Sequence, residues 1–248
     1  MKILLAAIVL GSSVATSAIA AEVKVLSGGA VEPGLHAFAA LVKRELGHDL
    51  KIQYNTMPQI VKRLAAGDIY DIVIVTPAVV EQAAKDGKVA ADTRAPVGRV
   101  GAGIIVRNAA TLPMVTTAEA LKQALLAADS VVYNSASSGL YLDKLFANMG
   151  ILEQLKPKTT RYPDGASVME HVIKGKGNEI GFGAITEIKL YTSKGLQFVG
   201  PLPAAVQNYT SYDAALMTGA PAAEAAKAVL RQLATPAGKA AFVSAGVE

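Results

Sequence analysis

The sequence predicts an α/β fold made of two doubly wound α/β lobes joined by two crossing segments. Three observations predict it. Short apolar runs rich in β-branched residues recur along the chain. Apolar residues at helical spacing follow almost every run. A further strand and two Ala-rich helices arrive after the second α/β unit is complete.

The elements follow in order. Residues 1–21 read as an export signal: Met1 and Lys2 give a basic start, Ile3 to Leu10 is an apolar run, and Ala18-Ile19-Ala20 fits a cleavage site after Ala20 or Ala21. That apolar run is too short to span a bilayer. Val23 to Leu26 reads as a strand ending at Ser27-Gly28-Gly29, and Glu32 to Leu46 as a helix closed by Gly47. Leu50 to Tyr54 is the second strand, Pro58 to Ala66 the second helix, Asp71 to Val75 a strand apolar on both faces, and Ala78 to Asp86 a helix. Arg99 to Arg107 reads as a long strand and Thr117 to Ala127 as a helix. Ser130 to Tyr133, Lys158 to Tyr162 and Glu179 to Gly183 are strands, with helices over Gly139 to Met149 and Ser167 to Lys174 between them. Leu196 to Val199 and Tyr209 to Thr218 are strands, and Ala222 to Leu233 and Pro236 to Ala245 close the chain as helices.

Too few elements follow Tyr209 for a third domain, so they are expected to return to the first lobe. The expected division is residues 22–100 plus 205–248 for lobe 1 and 101–204 for lobe 2. In α/β sheets ligands bind beyond the carboxyl ends of the strands, so two facing lobes enclose a cleft. Two crossings permit hinge closure.

Composition narrows the function. The 248 residues are 52% hydrophobic, which excludes intrinsic disorder. The absence of Cys excludes disulfides, thiolate zinc sites and thiol nucleophiles. The net charge of +4 is spread without a basic cluster, so no nucleic-acid partner is expected. His36, His48 and His171 have no metal-ligand spacing, and no dinucleotide fingerprint, Walker A sequence or G-x-S-x-G elbow occurs. No metal, cofactor or catalytic residue is therefore expected.

The chemistry is expected in the loops that follow strands and open helices. These are Ser27, Gly28, Gly29 and Ala30; Thr56 and Met57; Thr76; Ser137, Ser138 and Gly139; and Ala166 and Ser167. Each loop offers backbone N–H groups and a positive helix-dipole end, which together suit an anion. Of the arginines, Arg161 sits at a strand end beside a candidate loop and could reach a ligand carboxylate.

Several runs also carry a family resemblance. They are Val25 to Ala30, Ile60 to Gly67 ahead of Tyr70 to Val75, Ser137 to Tyr141 through Ile151, Glu179 to Gly183, and Leu233 to Phe242 followed by Gly246. On these the chain resembles the type II periplasmic solute-binding proteins, in particular the molybdate-binding branch of ABC importers, from Val23 to Val247. The resemblance implies a monomeric periplasmic receptor without a membrane anchor. Such a receptor closes on a small anion and delivers it to an ABC permease in the inner membrane. It also implies ligand-holding serines at positions occupied here by Ala30 and by Thr56 or Met57, and a tyrosine replaced near Gly183 or Ala184. The expected ligand is therefore a molybdate-like oxyanion or an organic acid. The alternative is an enzyme on the same scaffold, a dehydratase or isomerase of a small acid. It would need a general base, and Asp164 and Glu187 are the candidates.

Overall fold

The computed structural model describes residues 20–108 and 110–248. The expected export signal therefore lies almost wholly outside the described residues. The strands are β1 (Glu22–Gly28), β2 (Asp49–Asn55), β3 (Ile72–Val75), β4 (Ala95–Arg107), β5 (Ser130–Asn134), β6 (Thr159–Tyr162), β7 (Glu179–Ala184), β8 (Leu196–Pro201) and β9 (Tyr209–Leu216). The helices are α1 (Glu32–Leu46), α2 (Met57–Ala66), α3 (Pro77–Lys85), α4 (Ala118–Ala127), α5 (Ser137–Asn148), α6 (Leu152–Leu155), α7 (Gly165–Lys174), α8 (Ile185–Lys189), α9 (Ala223–Ala234) and α10 (Pro236–Ser244). Helices α6 and α8 are too short to show a period and were not legible as helices in the sequence.

The strands run in the order β2-β1-β3-β9-β4-β7-β5-β6, with β8 also on β4. Strands β1, β2 and β3 are parallel, as are β5, β6 and β7. Each trio is the part of a lobe wound by βα units, which orients its strand ends toward one mouth.

β4 passes from one lobe to the other. Its residues from Ala95 to Gly101 pair antiparallel with β9, and those from Ala102 to Arg107 pair with β7 and β8. At the changeover the Gln207 side chain behaves like a short piece of strand. Its Oε1 accepts the Ala102 N–H at 3.1 Å and its Nε2 donates to the Ala102 carbonyl at 3.0 Å. The returning segment is thereby tied to the outgoing one where each leaves its lobe.

The buried apolar residues part at the same place. One cluster gathers Val23 to Val100 with Tyr212 to Val247, and two others gather residues between Ala102 and Leu202 on the two faces of the second sheet. In the first, Phe38 of α1 packs on Phe242 of α10 with ring centroids 5.6 Å apart, so the last helix is docked on the first. Asp71 is a buried polar exception, 1% exposed. Its carboxylate accepts the Lys24 N–H at 2.7 Å and the Ala222 N–H at 2.6 Å, which offsets its burial and fixes the start of α9 against β1. Among the described residues no helix is long and apolar enough to cross a membrane.

Candidate functional site

Between the lobes lies a cavity of about 460 Å³. The ends of β1, β2, β5 and β6 open onto it, and β9 closes one wall with Thr210 and Tyr212. The walls approach closely at Gly28: a Cβ there would meet Met57 Cε and Tyr212 Cε1, each at 2.8 Å. Glycine is needed because β1 must pass under both side chains.

Four helices of two turns or more begin at this cavity, and their first turns differ. In α1 the Glu32 N–H is taken by the Gly29 carbonyl, Pro33 has no N–H, and the Glu32 carboxylate itself faces the cavity. In α2, Thr56 and Gln59 form a capping box, with Gln59 Oε1 accepting the Thr56 N–H at 2.9 Å, and Pro58 has no N–H to offer. In α7, the Asp164 carboxylate caps the helix by accepting the Ser167 N–H at 2.8 Å. α5 has no side-chain cap. Its first turn, Ser137-Ser138-Gly139, directs uncapped N–H groups toward the cavity. Asn134, at the end of β5, prepares this turn: its Oδ1 accepts from the Ala136 N–H at 3.0 Å and from the Ser138 hydroxyl at 3.3 Å. Helix α5 begins so close to β5 that a Cβ on Gly139 would overlap the Asn134 carbonyl. The end of α5 is therefore the place where a free dipole end meets the cavity.

The lining is otherwise acidic. Glu32, Asp164 and Glu187 face it, with Lys194 the basic side chain among the described residues that line it. The Lys194 ammonium lies over the Tyr191 ring, 4.3 Å from its centroid. Glu187, on the short α8, sits at the seam between the lobes. One carboxylate oxygen is 2.7 Å from where a Cβ of Gly29 would be, and the other crowds the same point at Gly165. α8 is fastened to lobe 1 by the Thr186 hydroxyl, which donates to the Ala30 carbonyl. Burial pushes the Glu187 carboxyl up to about 7, and the charges of Glu32 and Asp164 add to the effect. No hydrogen bond or ion pair of Glu187 exists among the described residues to oppose this. Burial likewise raises the phenols of Tyr54 and Tyr212, aided by Glu32 and Glu187 respectively. Arrays of this kind, a partly buried carboxyl with a raised pKa in a cleft, concentrate at functional sites.

The model of the bacterial extracellular solute-binding proteins matches residues 23–248. The chain belongs to that family. This solute-binding protein is also 28% identical over 230 residues to an aconitate isomerase from a Pseudomonas species, covering 90% of this chain and 86% of that one. Among solved structures, it is similar to the periplasmic molybdate-binding protein of Azotobacter vinelandii, with TM-score 0.74, 15% identity, and 91% and 98% of the two chains covered. The sulfate-binding protein SubI of Mycobacterium tuberculosis gives TM-score 0.73 at 16% identity, with 92% and 86% covered. At these identities the structures speak for the shared fold.

Of the residues expected in the site, Gly28, Gly29, Ala30, Thr56, Met57, Ser137, Ser138 and Ala166 line the cavity of this solute-binding protein. Ser27, Thr76, Gly139 and Ser167 do not. Ser27 is fully buried, and its hydroxyl donates to the Gly28 carbonyl at 3.0 Å. Thr76 opens α3, whose mouth lies outside the cavity wall. Gly139 is packed against Asn134, and Ser167 supplies its N–H to the Asp164 cap. Arg161 is also withdrawn: it pairs with Asp143 at 2.9 Å and lies over the Tyr133 ring at 5.2 Å. Where the family resemblance replaces a tyrosine, Ala184 lines the cavity, and the tyrosines that line it are Tyr54, Tyr191 and Tyr212. Tyr54, Asn134 and Tyr212 were missed by the sequence reading. Asn134 and Tyr54 could have been found as polar residues at strand ends, but nothing in the sequence brings Tyr212 across to Gly28.

Proposed function

We propose that this solute-binding protein is the periplasmic binding component of an ABC importer and that it holds a small anion in the interlobe cleft, for a permease in the inner membrane. An organic acid is the favoured ligand over a molybdate-like oxyanion. The observation that carries this is the uncapped first turn of α5 opening onto the cavity, where α7 is capped by Asp164, α2 opens with the Thr56–Gln59 capping box and Pro58, and α1 opens with Pro33 beside the Glu32 carboxylate. The acidic lining favours a ligand that can share a proton with Glu187 over a fully ionised oxyanion, which would meet the acidic side chains of Glu32 and Asp164 with Lys194 the one ammonium among the described lining residues. The changeover at Gly101 and Ala102 supports lobe boundaries at residues 22–100 plus 205–248 and 101–204, and the family supports an exported protein.

Isothermal titration tests this against molybdate, tungstate, sulfate and a panel of carboxylic acids. Micromolar or tighter binding of a member of the panel, lost when the α5 mouth is disrupted, is the expected result. Failure of every anion would overturn it.

A second reading is specifically favoured by Glu187: an isomerase of a small acid. A carboxyl at the seam with a pKa near neutrality is suited to take a proton from the carbon beside a ligand carboxylate and return it to another carbon of the same molecule, while the N–H groups of α5 hold the developing charge. The aconitate isomerase relative supports it. Proton NMR of the acid panel in heavy water separates the readings. An importer component leaves the ligand carbons unlabelled, and an isomerase exchanges them in a way that Glu187→Gln abolishes.

A further inference from the structure

The cleft has a second polar seat, on the lobe 1 side, with a different appetite from the first. Tyr54 and Asn55 end β2, and both line the cavity. The Tyr54 hydroxyl and the Asn55 Oδ1 are shielded from solvent and have no hydrogen-bond partner among the described residues. Two adjacent orphans of this kind cost the protein stability unless something outside the chain completes them.

The chemistry of the missing partner follows from the local network. The Thr56 N–H donates to Gln59 Oε1 at 2.9 Å, so that oxygen is fixed as an acceptor. The Asn55 group that meets it at 3.2 Å must then be Nδ2, a donor. Oδ1 is left as an acceptor with nothing to accept. Tyr54 is kept un-ionised by burial and by Glu32, so its O–H is a donor with nothing to donate to. A single group that completes both must give a hydrogen bond to Oδ1, and one that also accepts lets the Tyr54 hydroxyl donate. A hydroxyl does so, and so does an un-ionised carboxyl. A carboxylate or an oxyanion without protons only accepts. Glu32, close enough to Tyr54 to raise its pKa, further disfavours a second full charge here.

We propose that the ligand is a bifunctional acid, with one carboxylate at the first turn of α5 and a hydroxyl or un-ionised carboxyl between Tyr54 and Asn55. This rests on the reading of the cleft as an organic-acid site and names the class of acid it selects. Both seats line one cavity of about 460 Å³, within the range of small-molecule sites.

The test is calorimetric titration of the full chain with matched acids of three to six carbons: plain monocarboxylates such as butyrate, their terminal hydroxy acids, and the dicarboxylates of the same length, with molybdate as a separate arm. The second group is expected to raise affinity at least about 10-fold over the plain acid. Tyr54→Phe and Asn55→Ala are each expected to erase that advantage while leaving the plain acid bound as before, and a thermal melt of each variant establishes that it is folded. Equal binding of plain and bifunctional acids overturns the proposal. So does an advantage that survives in both variants. Molybdate binding more tightly than every organic acid overturns it too, and leaves the cleft an anion site. If no anion binds at all, the reading it rests on falls with it.

Discussion

α5 and α7 both follow a parallel strand of the second sheet, and both begin at the same cavity. Their first turns nevertheless do opposite things. α7 is closed by its own Asp164, so its dipole is satisfied internally and a negative charge is added to the cleft. α5 has Ala136 at the capping position, no side-chain cap, and Asn134 holding the preceding turn in place. One helix end is spent on the fold and the other is left for a ligand. The contrast teaches that a strand, a polar loop and a helix do not by themselves make an anion site. What decides is whether the cap position carries an acceptor that reaches the first turn.

The largest effect should come from breaking the α5 mouth. Gly139→Ala places a methyl on the Asn134 carbonyl, so either β5 or α5 must shift. Destabilisation of about 3 kcal/mol or more is expected in urea unfolding, together with loss of ligand binding in titration. An unchanged midpoint would mean that the strand end and helix start are not held as close as they stand here.

Glu187 gives the next largest effect, and its sign can be worked out. Its carboxyl is raised in the folded state to about 7 from an ordinary 4.5, so between those values the folded protein binds more protons than the unfolded chain. Stability contributed by this group is fully present below the unfolded pKa and is lost as the pH rises through about 7. Glu187→Gln should remove that loss, stabilising the protein at pH 8 by up to about 3 kcal/mol and leaving it unchanged near pH 4. Denaturant melts across this range measure it. Ligand binding should follow the same direction. An anion beside Glu187 takes up a proton on binding, so affinity should fall as pH rises above 7, and Glu187→Gln should flatten that dependence.

Asp164→Ala sharpens the comparison directly. It removes the α7 cap at a cost of about 1 kcal/mol in thermal unfolding. It also removes a carboxylate from the cleft, so the Glu187 pKa should move down toward the ordinary carboxylate range and an anionic ligand should bind several-fold more tightly. Tighter binding in a less stable protein is the pattern expected if α7 is capped for the fold and not for the ligand. The smallest effect should be that of Ser137→Ala, which opens α5 without capping it. Stability should change by less than about 0.5 kcal/mol, and affinity should fall by no more than the loss of one neutral hydrogen bond, roughly 10-fold.

The sequence made much of this architecture readable. Alternating apolar runs and helical stripes located the strands and the longer helices, because those periods come from local geometry. The surplus strand and helices after Tyr209 pointed to a chain that returns, and β9 with α9 and α10 does pack into the first cluster. The loops were also readable as a set, since four of the five open onto one cavity. Their individual roles were not. Ser27 and Ser167 look like ligand hydroxyls in the sequence, yet one is turned into its own turn and the other serves through its backbone. Arg161 looks like a carboxylate binder until Asp143, distant in sequence, takes it.

What the sequence by itself determined was the class of fold and the places where helices start, both consequences of neighbours along the chain. Only the tertiary structure decided which helix end stays open, that Glu187 on an unreadable five-residue helix stands between Gly29 and Gly165, and that the Tyr54 hydroxyl and the Asn55 Oδ1 are shielded from solvent with no hydrogen-bond partner among the described residues. The physical reason is the same in each case. Desolvation, charge proximity and hydrogen-bond satisfaction are set by atoms brought together from distant parts of the chain, and no local pattern encodes which of them will meet.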